Sequence, residues 1–215
     1  MMRSTGLWLI AIGFLIYVFF FAPPIQADTF APIFTLLSGK IPLVNPVHIS
    51  IFSMVGIFLL MYACLMLPDG RMQRFPAWPF LIAGIGAGIL GLIPYLALRE
   101  PNQEFTGEKD NFLNVFDSKL AGITLSFSTF IFLSFALIWG DWSGFVEEFL
   151  TNKFIHAMTI AVCLFALLFP YPTLLQDDMA RRRISGDRLL GTVAIVPLFG
   201  ALFYLCVRPP LPERR

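Results

Sequence analysis

Charge is what this chain has least of. Only 13% of its 215 residues are Asp, Glu, Lys or Arg, while 57% are hydrophobic. Soluble domains usually carry about 25% charged residues, so the deficit excludes most soluble readings. The balance of 15 Lys+Arg against 14 Asp+Glu leaves a net charge of +1 and no basic footprint, which excludes a nucleic-acid partner. Cysteine is scarce too: Cys64, Cys163 and Cys206 lie far apart in apolar runs, with no C-x-x-C pair. That pattern offers no disulfide framework, zinc site or iron–sulfur site, and the three read as small buried hydrophobes.

Long apolar runs are abundant. A bilayer core needs about 20 apolar residues per helix, and six runs of that order appear, at about 6–24, 47–67, 77–98, 120–140, 154–175 and 189–207, with no charged residue inside any of them. With lipid as the only possible solvent for such segments, the expected fold is all-α, a single membrane domain of about six transmembrane helices. Between the first two runs, Asp28 and Gly39 fit the ends of a short helix, with Phe30, Ile33, Phe34 and Leu37 at helical spacing. This segment reads as an amphipathic helix lying in the interface. Residues 1–27 also fit a cleaved signal, with Ile25-Gln26-Ala27 at the cleavage point, but the run is long for one and Ile25 is bulky where a small residue is preferred.

With six crossings, Lys and Arg divide almost evenly between the two sides, so the positive-inside rule leaves the orientation open. The longest connection, 99–119, carries Glu100, Glu104, Glu108, Asp110 and Asp117 and reads as a solvated, net-acidic docking segment.

Several patterns invite a chemical reading, and each has a plainer one. Gly86 to Gly91 is a literal G-x-G-x-x-G, but a dinucleotide site needs it at a strand-to-helix turn. Inside an apolar run, Gly84, Ala87, Gly88 and Gly91 instead form a small-residue stripe for close helix packing. His48 and His156, the only histidines, stand about one turn inside their runs. Imidazole there fits an axial ligand of chlorophyll or haem, or a simple interfacial hydrogen bond. Asp177-Asp178 resembles a metal-binding pair, yet Arg181 and Arg182 follow each by four residues. Two i,i+4 ion pairs on an exposed helical extension explain the run, with Arg181, Arg182 and Arg183 free to touch anionic lipid headgroups.

Thr124, Ser126, Ser128, Thr129 and Ser134 fit either a polar path or hydroxyls bonded back to their helix. Pro94 and Pro197 interrupt the third and sixth runs at comparable places, which is the pointer to an inverted three-plus-three repeat and a small carrier. Ion-coupled transport usually places ionisable groups at depth, and these runs hold none. An intramembrane enzyme acting on a lipid or isoprenoid would need Asp69, Asp177, Asp178 and His156 to converge.

The stretches Asn45-Pro46, Leu67-Pro-Asp-Gly-Arg-Met-Gln-Arg-Phe-Pro-Ala-Trp-Pro-Phe80 and Pro94-Tyr-Leu-Ala-Leu-Arg-Glu-Pro-Asn102 resemble an integral membrane family of cyanobacteria with chloroplast-targeted relatives in plants. Phe154-Ile-His-Ala-Met158, Asp177-Asp-Met-Ala-Arg181 and Arg208-Pro-Pro-Leu-Pro-Glu213 extend the likeness over nearly the whole chain. The resemblance implies a location, the thylakoid or another photosynthetic membrane. It carries no catalytic residue with it. The expected role is an accessory or assembly factor, or a keeper of the pigment and lipid environment, whose partners are the bilayer and a larger complex such as a photosystem.

Overall fold

The computed structural model describes residues 2–39, 44–170, 173–184, 191, 193 and 195–212. Among them are eleven helices and no strand: α1 Met2–Phe20, α2 Ala31–Leu37, α3 Pro46–Gly70, α4 Trp78–Ala87, α5 Ile89–Leu98, α6 Asn111–Asp117, α7 Lys119–Trp139, α8 Trp142–Thr151, α9 Lys153–Leu168, α10 Leu174–Arg181 and α11 Phe199–Val207. The all-α expectation is met. By length and apolar composition α3 and α7 are each able to cross a membrane, and α8 with α9 would do so only as a pair bent by 103°.

Polar residues at the helix starts explain where these elements begin. The side chains of Asn45, Asp110, Ser118, Asp141 and Asn152 each accept from backbone N–H groups that a first turn leaves unpaired, and Pro46 fills the first helical position of α3. The short helix expected between the first two runs forms as α2, with Gly39 in the left-handed conformation after it (φ +73°). Its start differs: Asp28 stands two residues before the N-cap, Phe30.

α3 is the central post, packed between α7 and α9, while α1 lies on α5 and α11 on α7. Phe58, Met61, Tyr62, Leu65, Phe165 and Phe169 fill the α3–α9 seam, all essentially without exposure. The rings of Phe58 and Phe165 stack at 5.6 Å. α1 is an integral part of the bundle: Leu7 and Ala11 are buried, and the Tyr17 hydroxyl meets His156 Nε2 at 2.7 Å.

The run 77–98 departs from the single crossing expected of it. Its two halves are antiparallel. A Cβ on Gly91 would collide with the backbone of Ala83 and Gly84, Gly84 faces Leu92, and the rings of Phe80 and Tyr95 lie 5.5 Å apart. The chain reverses at Gly88, whose φ of +58° is one that L side chains rarely adopt. Of the small-residue stripe, Gly84 and Gly91 pack α4 against α5, the two halves of one helical hairpin, while Gly88 serves as the turn and faces Phe165 and Ala161 of α9, and Ala87 is exposed. Both ends of this hairpin lie beside the end of α3: Gly70 abuts Ala77, and Arg99 bonds Asp69. On either side of the run at 189–207, Arg182 and Arg208 bind the same Asp178 carboxylate; residues 185–190, 192 and 194 lie outside the described ones.

Candidate functional site: paired carboxylate nodes

Most of the buried charge gathers at one end of the bundle, where α3, α5, α10 and α11 meet. Asp69 receives the Tyr95 hydroxyl at 2.6 Å, a two-pronged Arg99 guanidinium at 2.6 and 2.9 Å, and Arg181. Asp178 receives the Tyr204 hydroxyl at 2.6 Å, a two-pronged Arg182 at 2.9 and 3.1 Å, and Arg208 at 3.3 Å. Each carboxylate thus holds one tyrosine and two arginines.

The two nodes share one spacing, although the two-pronged arginine is the one 30 residues on at Asp69 and the one four residues on at Asp178. In each, tyrosine follows aspartate by 26 residues and arginine by 30. The second set lies 109 positions after the first, a register that also aligns Gly91-x-x-x-Tyr95-Leu96-x-x-Arg99-x-Pro101 with Gly200-x-x-x-Tyr204-Leu205-x-x-Arg208-x-Pro210. The helices repeat a similar order, although away from the nodes the spacing drifts, with Asn152 lying 107 positions after Asn45 and His156 108 after His48. α1 packs on α5 as α7 packs on α11, the short helices α2 and α8 each precede an Asn-capped helix, and that cap is followed within four residues by His48 or His156. The repeat is tandem, with both nodes at one end of the bundle, which corrects the inverted arrangement expected from Pro94 and Pro197. Those prolines are not counterparts: Pro94 aligns with Phe203, and Pro197 with Gly88.

α10 ties the nodes together. Asp177 and Arg181 turn toward the first node, where Asp177 accepts from Arg99 at 2.6 Å and Arg181 donates to Asp69. Asp178 and Arg182 form the second node. Neighbouring residues on one helix thus feed neighbouring nodes, with arginines one position apart supplying both. This corrects the exposed extension expected here: Asp177, Asp178, Arg181 and Arg182 are buried, Asp177 does not pair with Arg181, and the i,i+4 pair that does form is Asp178 with Arg182. Buried Arg181 and Arg182 are out of reach of lipid headgroups, whereas Arg183 is exposed.

The 99–119 connection is only partly the solvated segment expected of it. Glu100, Glu104 and Glu108 are exposed, but Asp117 is buried. Asp117 accepts from Lys109 at 2.8 Å, pairs with Arg182 at 2.7 Å and accepts from the Leu211 backbone at 2.9 Å. Arg208 adds bonds to the carbonyls of Cys64 and Phe116. Burial by itself would raise the Asp178 carboxyl, but Arg182 and Arg208, with the Tyr204 hydrogen bond, hold it below the usual carboxylate range.

The histidines lie at the other end. His156 is fully engaged, with Tyr17 on Nε2 and the Phe149 carbonyl on Nδ1 at 2.8 Å, which leaves no nitrogen for chlorophyll or haem. His48 is buried beside Glu148, Nδ1 to Oε2 at 3.7 Å, and its Nε2 has no hydrogen-bond partner. The set Asp69, Asp177, Asp178 and His156 is therefore split, with three carboxylates at one end held by arginine and the histidine at the other. Of the five hydroxyls on α7, Ser126 and Thr129 donate to carbonyls of their own helix at 2.9 and 2.8 Å. Cys64 is buried, Cys206 half-buried and Cys163 exposed.

Comparison with family models, curated proteins and solved structures gives no match.

Proposed function

We propose that the protein is a multi-pass accessory or assembly factor of a photosynthetic membrane that works through its surfaces and holds no reaction centre of its own. The observation that carries this reading is the mutual neutralisation of the nodes: Asp69 and Asp178 each spend both oxygens on arginine and tyrosine, so neither stands ready as a base or nucleophile. The aromatic α3–α9 seam closes the interior. What such a chain presents to its surroundings is apolar helix face, on α7 above all, and the exposed Glu100–Glu108 segment. The photosynthetic location rests on the loop and boundary stretches that resemble the cyanobacterial and chloroplast family.

In this reading α1, α3, α7 and α9 cross the membrane, the segment 78–98 enters and returns, and Arg182 and Arg208 lie on one face. This arrangement changes the charge count. Among the described side chains, Arg71, Arg74, Arg99, Lys109, Lys119, Arg181, Arg182, Arg183 and Arg208 then share the node face, with Lys153 opposite. By the positive-inside rule the nodes face the cytoplasm or stroma.

Mild-detergent isolation of the tagged protein from its own membrane is the test. Co-purification of a photosystem or another pigment–protein complex is the expected result; a homogeneous lone protein under conditions that keep known complexes intact overturns it.

A further inference from the structure

We propose that the cleft between α2 and α8, at the end of the bundle opposite the nodes, binds a primary ammonium group. This goes beyond the accessory role and does not depend on it. The cleft holds about 380 Å³ and is lined by Gln26, Asp28, His48 and Glu148, with Pro32 and Val44 on its apolar side. Its charge is one-sided. At the node face Asp69, Asp110, Asp117, Asp177 and Asp178 have Arg or Lys partners, whereas among the described residues Asp28 and Glu148 pair with none. Among the described residues no Lys or Arg lines the cleft.

A second observation points the same way. The His48 side chain lines this cleft and is buried to 2% exposure, 3.7 Å from Glu148, yet its Nε2 has no partner. A buried, unmatched imidazole costs free energy. Glu148 is itself destabilised as an anion: burial raises its carboxyl, and Asp28, Glu147 and Asp141 raise it further. A cation seated between Asp28 and Glu148 relieves that repulsion.

The class of cation follows from the walls. Among the described residues no three His, Cys, Asp or Glu side chains come together to hold a metal ion. The space is also many times that of a bare ion. Among the described residues no Phe, Tyr or Trp lines it, which disfavours a quaternary ammonium, the usual guest of an aromatic cage. What the cleft supplies is carboxylate and amide acceptors with a short apolar wall, the complement of three N–H donors on a methylene chain. An amine-bearing lipid headgroup and a free aliphatic amine share that chemistry.

The experiment uses the full chain in phosphatidylglycerol nanodiscs, with putrescine titrated by calorimetry. Saturable binding is expected, weakened at least tenfold in Glu148→Gln and in Asp28→Asn but unchanged in Glu104→Gln at the opposite end. A parallel arm reads, by native mass spectrometry, retention of phosphatidylethanolamine over phosphatidylglycerol. Retention without putrescine binding assigns the headgroup, and the reverse assigns the free amine; either supports the site if Glu148→Gln abolishes it. Thermal unfolding equal to wild type certifies each variant, and Asp28→Asn, at an exposed position, stands in should Glu148→Gln fail to fold. Absence of both signals in the wild type, or signals that persist in the Asp28→Asn/Glu148→Gln double variant, overturns the proposal.

Discussion

The Tyr204 hydroxyl donates to Asp178 Oδ2 at 2.6 Å across 26 residues of chain, a relationship that Tyr95 and Asp69 reproduce at the same distance and the same separation. A bond made twice in matching surroundings has to be worth a similar amount twice. Tyr95→Phe and Tyr204→Phe each remove one hydroxyl from a buried carboxylate that keeps its two arginines. Each is expected to cost about 1.5–3 kcal/mol, the range for a hydrogen bond to a charged group, with the two losses agreeing within about 1 kcal/mol. Denaturant unfolding in mild detergent reads both. A loss at one node only would show that the nodes do not share their energetics.

Asp178, like Asp69, is a point of convergence, where Arg182, Arg208 and Tyr204 meet. Asp178→Asn leaves Arg182 and Arg208 buried against a neutral amide and is expected to cost about 3–5 kcal/mol. Arg182→Gln costs a similar amount, but the double variant falls short of the sum by about 1–3 kcal/mol, because the two side chains interact directly. A double-mutant cycle that comes out additive would place their stabilising contacts elsewhere.

The same carboxylate fixes an acid limit. Its folded pKa lies below the unfolded value, so its stabilisation is fully present above the unfolded pKa of about 4 and is lost as pH falls through the lower folded value. Thermal stability attributable to this group should hold from pH 7 to about 4 and decline only below it. In Asp178→Asn that part of the acid decline should shrink. An unchanged acid limb in the variant would assign it to the other carboxylates.

Glycine positions divide sharply. Gly91 faces the backbone of Ala83 and Gly84, which cannot move aside as a side-chain tip can, while a Cβ on Gly86 meets nothing within 4 Å. Gly91→Ala is therefore expected to destabilise the hairpin by about 1–3 kcal/mol. Gly86→Ala should be neutral or stabilising by up to about 1 kcal/mol, the helix-propensity difference. Thermal unfolding of the two variants side by side checks this. Equal losses would mean that α4 and α5 do not pack face to face.

Much of this architecture is written in local signals. The apolar runs, the caps at Asn45 and Asn152 and the amphipathic segment before α3 depend on neighbouring residues, and the helices follow them closely. The direction of a run does not: a segment of 22 apolar residues reads as a crossing whether or not Gly88 reverses it, because hydropathy has no sign for a turn. The nodes were less legible for a similar reason. Asp177 and Asp178 look solvated beside their arginines, and only the approach of α3, α5 and α11 decides that they are buried. One signal was available, the Gly-x-x-x-Tyr-Leu-x-x-Arg-x-Pro pattern at 91–101 and again at 200–210. Reading the halves as inverted hides it, and reading them in tandem exposes both nodes.

Topology offers the most discriminating test, because the crossing and the returning readings of 77–98 place Glu100 on opposite sides. In the hairpin, Gln73 and Glu100 are close enough to exchange hydrogen bonds at 2.7 and 2.8 Å, at the node end, while Glu147 lies on α8 at the other end. In a background with Cys64, Cys163 and Cys206 replaced by Ala, single cysteines at 73 and 100 are expected to react with a membrane-impermeant maleimide from the same side, the cytoplasmic or stromal one, and a cysteine at 147 from the opposite side. Labelling of 73 and 100 from different sides would restore a full crossing between them, and with it the near-even charge balance. Labelling of 73 and 100 together from the lumenal or periplasmic side would keep the hairpin and invert the orientation. Exposed side chains at 100 and 147 make these substitutions mild, so a pattern read in intact vesicles and again after permeabilisation reports position rather than damage.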